Sequence, residues 1–340
     1  MIRRITWIDF LRLLGIIGVL TMHICGNTLN TFGLDNTSKQ IYYFMIYISE
    51  YAIPLFIMIS GIMFLNKENL TIKSMLKKYV LKVLIGIFLF GIFFSSLELI
   101  YDGWNLNLNF MKEVFIRIIS GNTWAHMWYL YLIFGLYLIT PILRILSKNM
   151  NKNEYKYFLI IMYIFCILIP ELSKILRVEI AFSILGISGY IFYYFWGYYL
   201  YNFGVSKVFK KGIYVISFIA IIFLFLKSLK DNNLDMLSYT SNIPFLISTS
   251  IILFLKNKKF GDAISKVLSQ IGINSYGIYI FHQLFINIIY KLLKFDFIRI
   301  YPLIGFCIYL IFIFVLSYFT TYILRRIKLI SKYVIWINIK

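Results

Sequence analysis

Ten apolar runs, each close to the thickness of a bilayer, leave this chain few ways to fold. They cover 5–25, 41–65, 79–101, 127–147, 155–171, 182–203, 212–229, 237–256, 271–291 and 301–325. A hydrocarbon core takes about 20 apolar residues per helix. In lipid a segment must satisfy its own backbone polar groups, which a helix does. The sequence therefore predicts an all-α polytopic membrane protein with about ten transmembrane helices, built as a single integral-membrane domain over residues 1–340. Composition agrees, since 61% of the residues are hydrophobic and only 14% are charged, against about a quarter charged in a soluble domain.

The net charge of +20 raises the question of a nucleic-acid partner. The placement of the basic residues answers it in the negative, because they sit in short gaps between apolar runs, as the positive-inside rule requires. With the N-terminus inside, 23 lysines and arginines fall in inside gaps and ten in outside gaps. This bias predicts both termini in the cytoplasm and an even number of spans. Part of the excess also suits attraction to anionic lipid.

Cys25, Cys166 and Cys307 lie in or at the edge of apolar runs, odd in number and far apart. They imply neither a disulfide framework nor a metal site. The start, MIRR before an apolar run, resembles a signal peptide, but Arg12 interrupts the run and no small-residue cleavage site follows. It reads as an uncleaved first span. Abundant Ile, Lys, Asn, Phe and Tyr suggest an AT-rich bacterial genome.

The first run, ITWIDFLRLLGIIGVLTMHIC, carries two ionisable residues that a plain membrane helix avoids, Arg12 and His23. Eleven residues make nearly whole turns of a helix, so both side chains share one side, about 16 Å apart along the axis. A charge in a span costs roughly 2.5–3.5 kcal/mol and commonly faces a bundle interior or a pathway. Arg12 either snorkels to the inner headgroups or serves a site. His23 either packs helices through a hydrogen bond or does chemistry. Asp9, three residues before Arg12, suits a first-turn carboxylate.

Other buried polar residues fall at matching depths. Glu50 precedes Pro54 in YISEYAIPLFIMISG, where Pro54 breaks the helix and Ser60-Gly61 permits close packing. It is a carboxylate neutralised by burial or paired with a cation, or else part of a site. His126 opens HMWYL beside Trp128 and Tyr129, as an aromatic-belt residue or a site residue. His282 lies near the middle of its run, for packing or for chemistry. Glu98 reads as structural. The gap 102–126 is long enough for a re-entrant or interfacial element over a cavity.

An inner cation and a deeper imidazole along one groove suit an elongated anionic donor. Arginine's fork of donors binds phosphate, and histidine is a natural base for removing a hydroxyl proton. Acyl transfer from coenzyme A to an alcohol fits this arrangement. A proton relay through His23 and Glu50 in a transporter fits the same residue types.

Four segments carry a family resemblance: IDFLRLLGIIGVLTMH, PLFIMISGIMFL (54–65), HMWYLYLIFGLYLITPIL (126–143) and SYGIYIFH (275–282). In this order and spacing the chain resembles the acyltransferase 3 family of bacterial membrane O-acyltransferases, of the stand-alone type without a fused extracytoplasmic domain. The resemblance implies ten spans and an acyl-CoA donor, usually acetyl-CoA, used from the cytoplasm as a substrate rather than a resident cofactor. It implies acylation of a cell-surface or lipid-linked carbohydrate hydroxyl on the outer side, with glycan-assembly proteins as partners. His23 and Arg12 would be the essential histidine and basic residue. Glu50, His126, Trp128, Tyr129 and His282 stand as candidate substrate-binding residues, with no metal. Some relatives are described as polysaccharide exporters, so transport of a polysaccharide or lipid-linked sugar is the alternative.

Overall fold

The computed structural model describes residues 5–178, 180, 188–327 and 331. Arg3, Arg4, residues 182–187 of the sixth apolar run, and Lys328, Lys332 and Lys340 lie outside the described residues. Each of the ten apolar runs carries helix. In chain order the helices are α1 (Thr6–Thr31), α2 (Asn36–Ser49), α3 (Ala52–Leu65), α4 (Ile72–Tyr101), α5 (Leu108–Ser120), α6 (Trp128–Asn149) and α7 (Lys152–Leu176). After these come α8 (Gly189–Asn202), α9 (Lys207–Lys230), α10 (Asn242–Leu255), α11 (Asp262–Asn287), α12 (Phe297–Ile300) and α13 (Pro302–Leu324).

Seven segments are long and apolar enough to cross a membrane: α1, α2 with α3, α4, α6, α7, α9 and α13. The expected number was ten. Of the other three runs, α8 and α10 have 14 described residues each. The 26-residue α11 is interrupted by Asp262, Lys266, Gln270, Asn274, Gln283 and Asn287, which lower its hydropathy. Apolar residues on α9 and α13, such as Phe218, Ile222, Ile311 and Phe312, are exposed, as a lipid-facing surface requires.

The second run, expected as one span, is two helices meeting at Glu50 and Tyr51. Pro54 explains the position of the joint. A proline ring in a helix collides with the carbonyl four residues earlier and supplies no N–H, and here that carbonyl belongs to Glu50. α3 then starts at Ala52, and its first helical bond runs from the Leu55 N–H to the Tyr51 carbonyl at 3.0 Å.

Glycines bring the central helices together. A Cβ on Gly61 of α3 would collide with the Tyr194 carbonyl of α8, and one on Gly197 of α8 would collide with the Met58 carbonyl of α3. These two helices thus pack backbone to backbone, as small residues allow in membranes. α1 lies against α2, α3 and α11 at the centre.

Thr6, at the start of α1, and Gln270 of α11 line one open cleft of about 370 Å³. Arg325, just past α13, donates to the Gln270 side chain at 3.3 Å. The start of the first helix and the end of the last therefore share one face of the bundle. The opposite face carries the 102–127 and 231–241 connections. In the first of these, α5 is capped by the Asn107 side chain and ends at Gly121, whose φ of 75° is left-handed. Its Phe110, Val114 and Ile118 are buried, and Leu108, Met111, Phe115 and Ile119 are exposed. Such an amphipathic helix suits an interfacial position. Tyr131 of α6 donates to the Ile118 carbonyl at 2.6 Å and ties α5 to the bundle.

Candidate active site: three histidines and a paired arginine on the first helix

α1 has a buried apolar face formed by Ile8, Leu11, Gly15, Val19 and Met22. Arg12 and His23 lie on its side, partly exposed. Arg12 is not an isolated cation. Its guanidinium donates to the Asp9 carboxylate at 2.7 Å, and Asp9 is fully buried. A Cβ on residue 272 of α11 would collide with that carboxylate, so Gly272 leaves the space that Asp9 fills. Paired and braced in this way, Arg12 is oriented by the bundle.

About 16 Å farther along α1, His23 meets the chain's other two histidines. The His23 and His282 rings are 5.1 Å apart, His126 and His282 are 5.2 Å apart, and His23 and His126 are 6.4 Å apart. They come from α1, from the turn before α6, and from α11. The three rings meet edge-on or tilted, at interplanar angles of 85°, 74° and 48°.

Hydrogen bonds set the roles of the ring nitrogens. His126 Nε2 lies 3.1 Å from the Ile280 carbonyl, and His282 Nδ1 lies 2.6 Å from the Tyr279 carbonyl. A carbonyl only accepts, so each bonded nitrogen carries a proton, and in the neutral imidazole the other ring nitrogen keeps its lone pair. His126 Nδ1 and His282 Nε2 have no hydrogen-bond partner among the described residues. The cluster therefore holds lone pairs free to accept a proton from a hydroxyl. Among the described residues no group of three or more side chains has metal-binding geometry.

Aromatic rings wall the cluster. Phe94 packs on His126 at 5.4 Å, and Trp124 stacks on Phe94 at 4.3 Å. Tyr279 touches both His126 and His282, and its hydroxyl donates to the His126 carbonyl. Tyr129 packs on Tyr279 at 5.5 Å, which places it one ring away from the histidines.

Glu50 and Trp128 lie elsewhere, against the 231–241 connection. Glu50 is fully buried, and its Oε1 accepts from the Leu237 N–H at 3.0 Å. Trp128 stacks on Tyr239 at 5.5 Å with 14° between the planes. The Tyr193 hydroxyl donates to the Tyr239 carbonyl at 2.8 Å. Tyr47 donates to Asp231, and Lys227 pairs with Asp231 and with Asp235. This connection is thus clamped along its length.

Sequence reasoning left Glu98 as a structural residue. One of its oxygens accepts from Trp124 Nε1 at 2.8 Å and the other meets Lys291 Nζ at 2.7 Å. It fixes the loop leading to His126 against the helical turn Ile288–Leu292 that follows α11. It also left out Tyr279, Asn27 and Gln283. The last two sit next to His23 and His282 along their helices, at spacings of four and one.

A family model described as an acyltransferase domain matches residues 5–322. No curated protein and no solved structure matches the chain.

Proposed function

The chain belongs to the acyltransferase 3 family and is a membrane acyltransferase, and on that premise we propose that it moves an acetyl group from cytoplasmic acetyl-CoA to a carbohydrate hydroxyl at the outer face of a bacterial plasma membrane. The observation that carries this reading is the layout of α1, with a braced arginine toward one end and, about 16 Å on, a histidine inside a three-imidazole cluster. The excess of lysine and arginine in the gaps on the Arg12 side supports a cytoplasmic position for that face.

In this reading Arg12 binds the phosphates of the donor through the planar fork of its guanidinium. The thioester arm extends along α1 toward His23. The acceptor hydroxyl approaches from the opposite face. A lone pair of His23 takes the hydroxyl proton as the oxygen attacks the thioester carbonyl. The tetrahedral intermediate collapses, the C–S bond breaks, and the proton passes from the imidazole to the leaving thiolate. His282 adjoins His23 and steadies its orientation. Tyr279 and His126 hold the wall behind it.

The test is acetyl transfer from acetyl-CoA by the purified protein in lipid, with O-acetyl content of surface glycans compared between wild-type and deletion cells. His23→Ala should abolish transfer and leave membrane expression intact. Full acetylation by His23→Ala would overturn the assignment of the base. Unchanged glycan acetylation in the deletion strain would favour movement of a glycan without chemistry.

A further inference from the structure

α5 (Leu108–Ser120) carries more apolar surface than the bundle covers. At about 100° per residue along a helix, Phe110, Val114 and Ile118 fall in one arc. Leu108, Met111, Phe115 and Ile119 fall in the arc beside it. The first arc is buried against the bundle. A Cβ on Gly91 of α4 would meet the Ile118 side chain at 2.8 Å, so Gly91 leaves the space that Ile118 fills. The second arc is open. Leu108 is 85% exposed, Met111 70%, Phe115 58% and Ile119 62%.

The remaining side of α5 is polar, with Asn109, Lys112, Glu113, Arg117 and Ser120 on it and Ile116 as its one apolar residue. Glu113 and Arg117 pair across one turn at 3.0 Å. The helix is thus divided lengthwise into an apolar half and a polar half, and protein covers only part of the apolar half.

Three observations identify what covers the rest. The first is depth. Tyr101 and Trp104, at the end of α4 and just before α5, are exposed, and exposed tyrosine and tryptophan collect at the headgroup level of a membrane. The second is continuity. α5 packs on α4, a helix long and apolar enough to cross a membrane, whose Leu89, Ile92, Phe93 and Ile100 face outward. The open stripe of α5 follows directly on that lipid-facing surface. The third is charge. Lys112 is exposed and borders the stripe beside Ile119, where its stem can lie on apolar surface while its ammonium reaches the phosphates. A protein partner is a poorer fit, because four side chains on one short helix fall short of the roughly 800 Å² per partner that a stable interface buries.

We infer that Leu108, Met111, Phe115 and Ile119 are a lipid-binding face, by which α5 lies along the membrane surface with this stripe among the acyl chains and its polar side toward headgroups and water. The leaflet is the one on the face opposite Thr6, which is the outer leaflet in the orientation proposed above. The lipid seat also sets the depth of a neighbouring cavity. That cavity, of about 330 Å³, has Arg117 and the 122–125 turn in its lining, so its rim stands at headgroup level and not above the membrane. The inference uses α5 and its neighbours alone, and it holds whether or not the chain transfers acetyl groups.

Spin-label accessibility tests it with the full chain in nanodiscs of phosphatidylethanolamine and phosphatidylglycerol. Cys25 and Cys166 are buried and Cys307 is exposed, so single cysteines are introduced in a Cys307→Ser background. Labels on Met111→Cys, Phe115→Cys and Ile119→Cys should collide with oxygen, which concentrates in acyl chains. Labels on Asn109→Cys and Ser120→Cys should collide with a water-soluble nickel chelate. The oxygen-to-nickel collision ratio should be at least fivefold higher in the first set. Nickel access at 111, 115 and 119 equal to that at 109 and 120 would mean a stripe in water and overturns the inference. Exclusion of both reagents from 111, 115 and 119 would mean a stripe covered by protein, a second copy included, and overturns it too. A second measurement needs no cysteine. Photocrosslinking from a benzoylphenylalanine placed at Phe115, in membranes of expressing cells, should add the mass of a phospholipid. A crosslink mainly to protein sinks the lipid face.

Discussion

Asp9 and Gly272 compete for one space: the carboxylate on α1 stands where a side chain on α11 would begin. The absence of a Cβ at 272 thus sets the position of Arg12, which Asp9 holds at 2.7 Å. Gly272→Ala should displace the carboxylate and cost about 1–3 kcal/mol through overpacking. Thermal unfolding in detergent measures that cost. On the proposed reading the donor KM should rise in the same variant, since Arg12 loses its brace.

Removing the brace itself gives a second expectation. Asp9→Ala leaves the space empty and deletes a hydrogen bond to a charged group, worth about 1.5–3 kcal/mol. Arg12→Lys keeps the charge and loses the planar fork. On the proposed reading, Arg12→Lys should raise the KM for acetyl-CoA more than it lowers kcat. Steady-state kinetics at varied acetyl-CoA would show the split. An unchanged donor KM would place the donor phosphates elsewhere.

The α3–α8 contact predicts a large stability effect without direct effect on chemistry. Gly61 faces the Tyr194 carbonyl and Gly197 faces the Met58 carbonyl, and backbone cannot yield as a flexible side chain does. Gly61→Val should cost about 3 kcal/mol, the upper part of the usual range for overpacking. Unfolding midpoints of the wild type and variant provide the measurement. A midpoint that does not move would mean that the two helices are less closely packed.

Acid should loosen the 231–241 connection. The Lys227 ammonium, hydrogen-bonded to Asp235 and assisted by Lys174, holds the Asp235 carboxyl below its ordinary value. Because the folded value is depressed, the stabilisation is complete above the unfolded value, about 3.9, and is lost as pH falls through the lower folded value. Protease cleavage in 231–241 should therefore increase below about pH 4. Asp235→Asn should remove that pH step. Asp235 is 62% exposed, so the effect belongs to the loop and not to the bundle.

The parts of this protein that depend on one stretch of chain were legible in its sequence. Apolar runs mark their helices because burial in lipid is a property of local composition. Arg12 and His23 share a side because helical period is fixed, and Pro54 locates a break because its ring excludes the carbonyl four residues back. What joins distant stretches was not legible. No periodicity says that His126 and His282 turn toward His23, since that depends on how three helices rotate against one another. Glu50 reads as a carboxylate neutralised by burial, as half of an ion pair or as a site residue; it is fully buried, and the hydrogen bond it makes is to the backbone N–H of Leu237, a partner that no side-chain pattern announces. Glu98 reads as structural, and its bonds to Trp124 and Lys291 fit that reading; which partners it takes was not legible, because neither is close to it in sequence.

The histidine cluster draws one ring from near the start of the chain, one from its middle and one from near its end. It follows that a chain still being inserted has no such cluster until α11 has entered the membrane and closed against α1. Any chemistry that needs the three rings together is switched on by completion of the protein. On the proposed reading, a product truncated before α11 would transfer nothing.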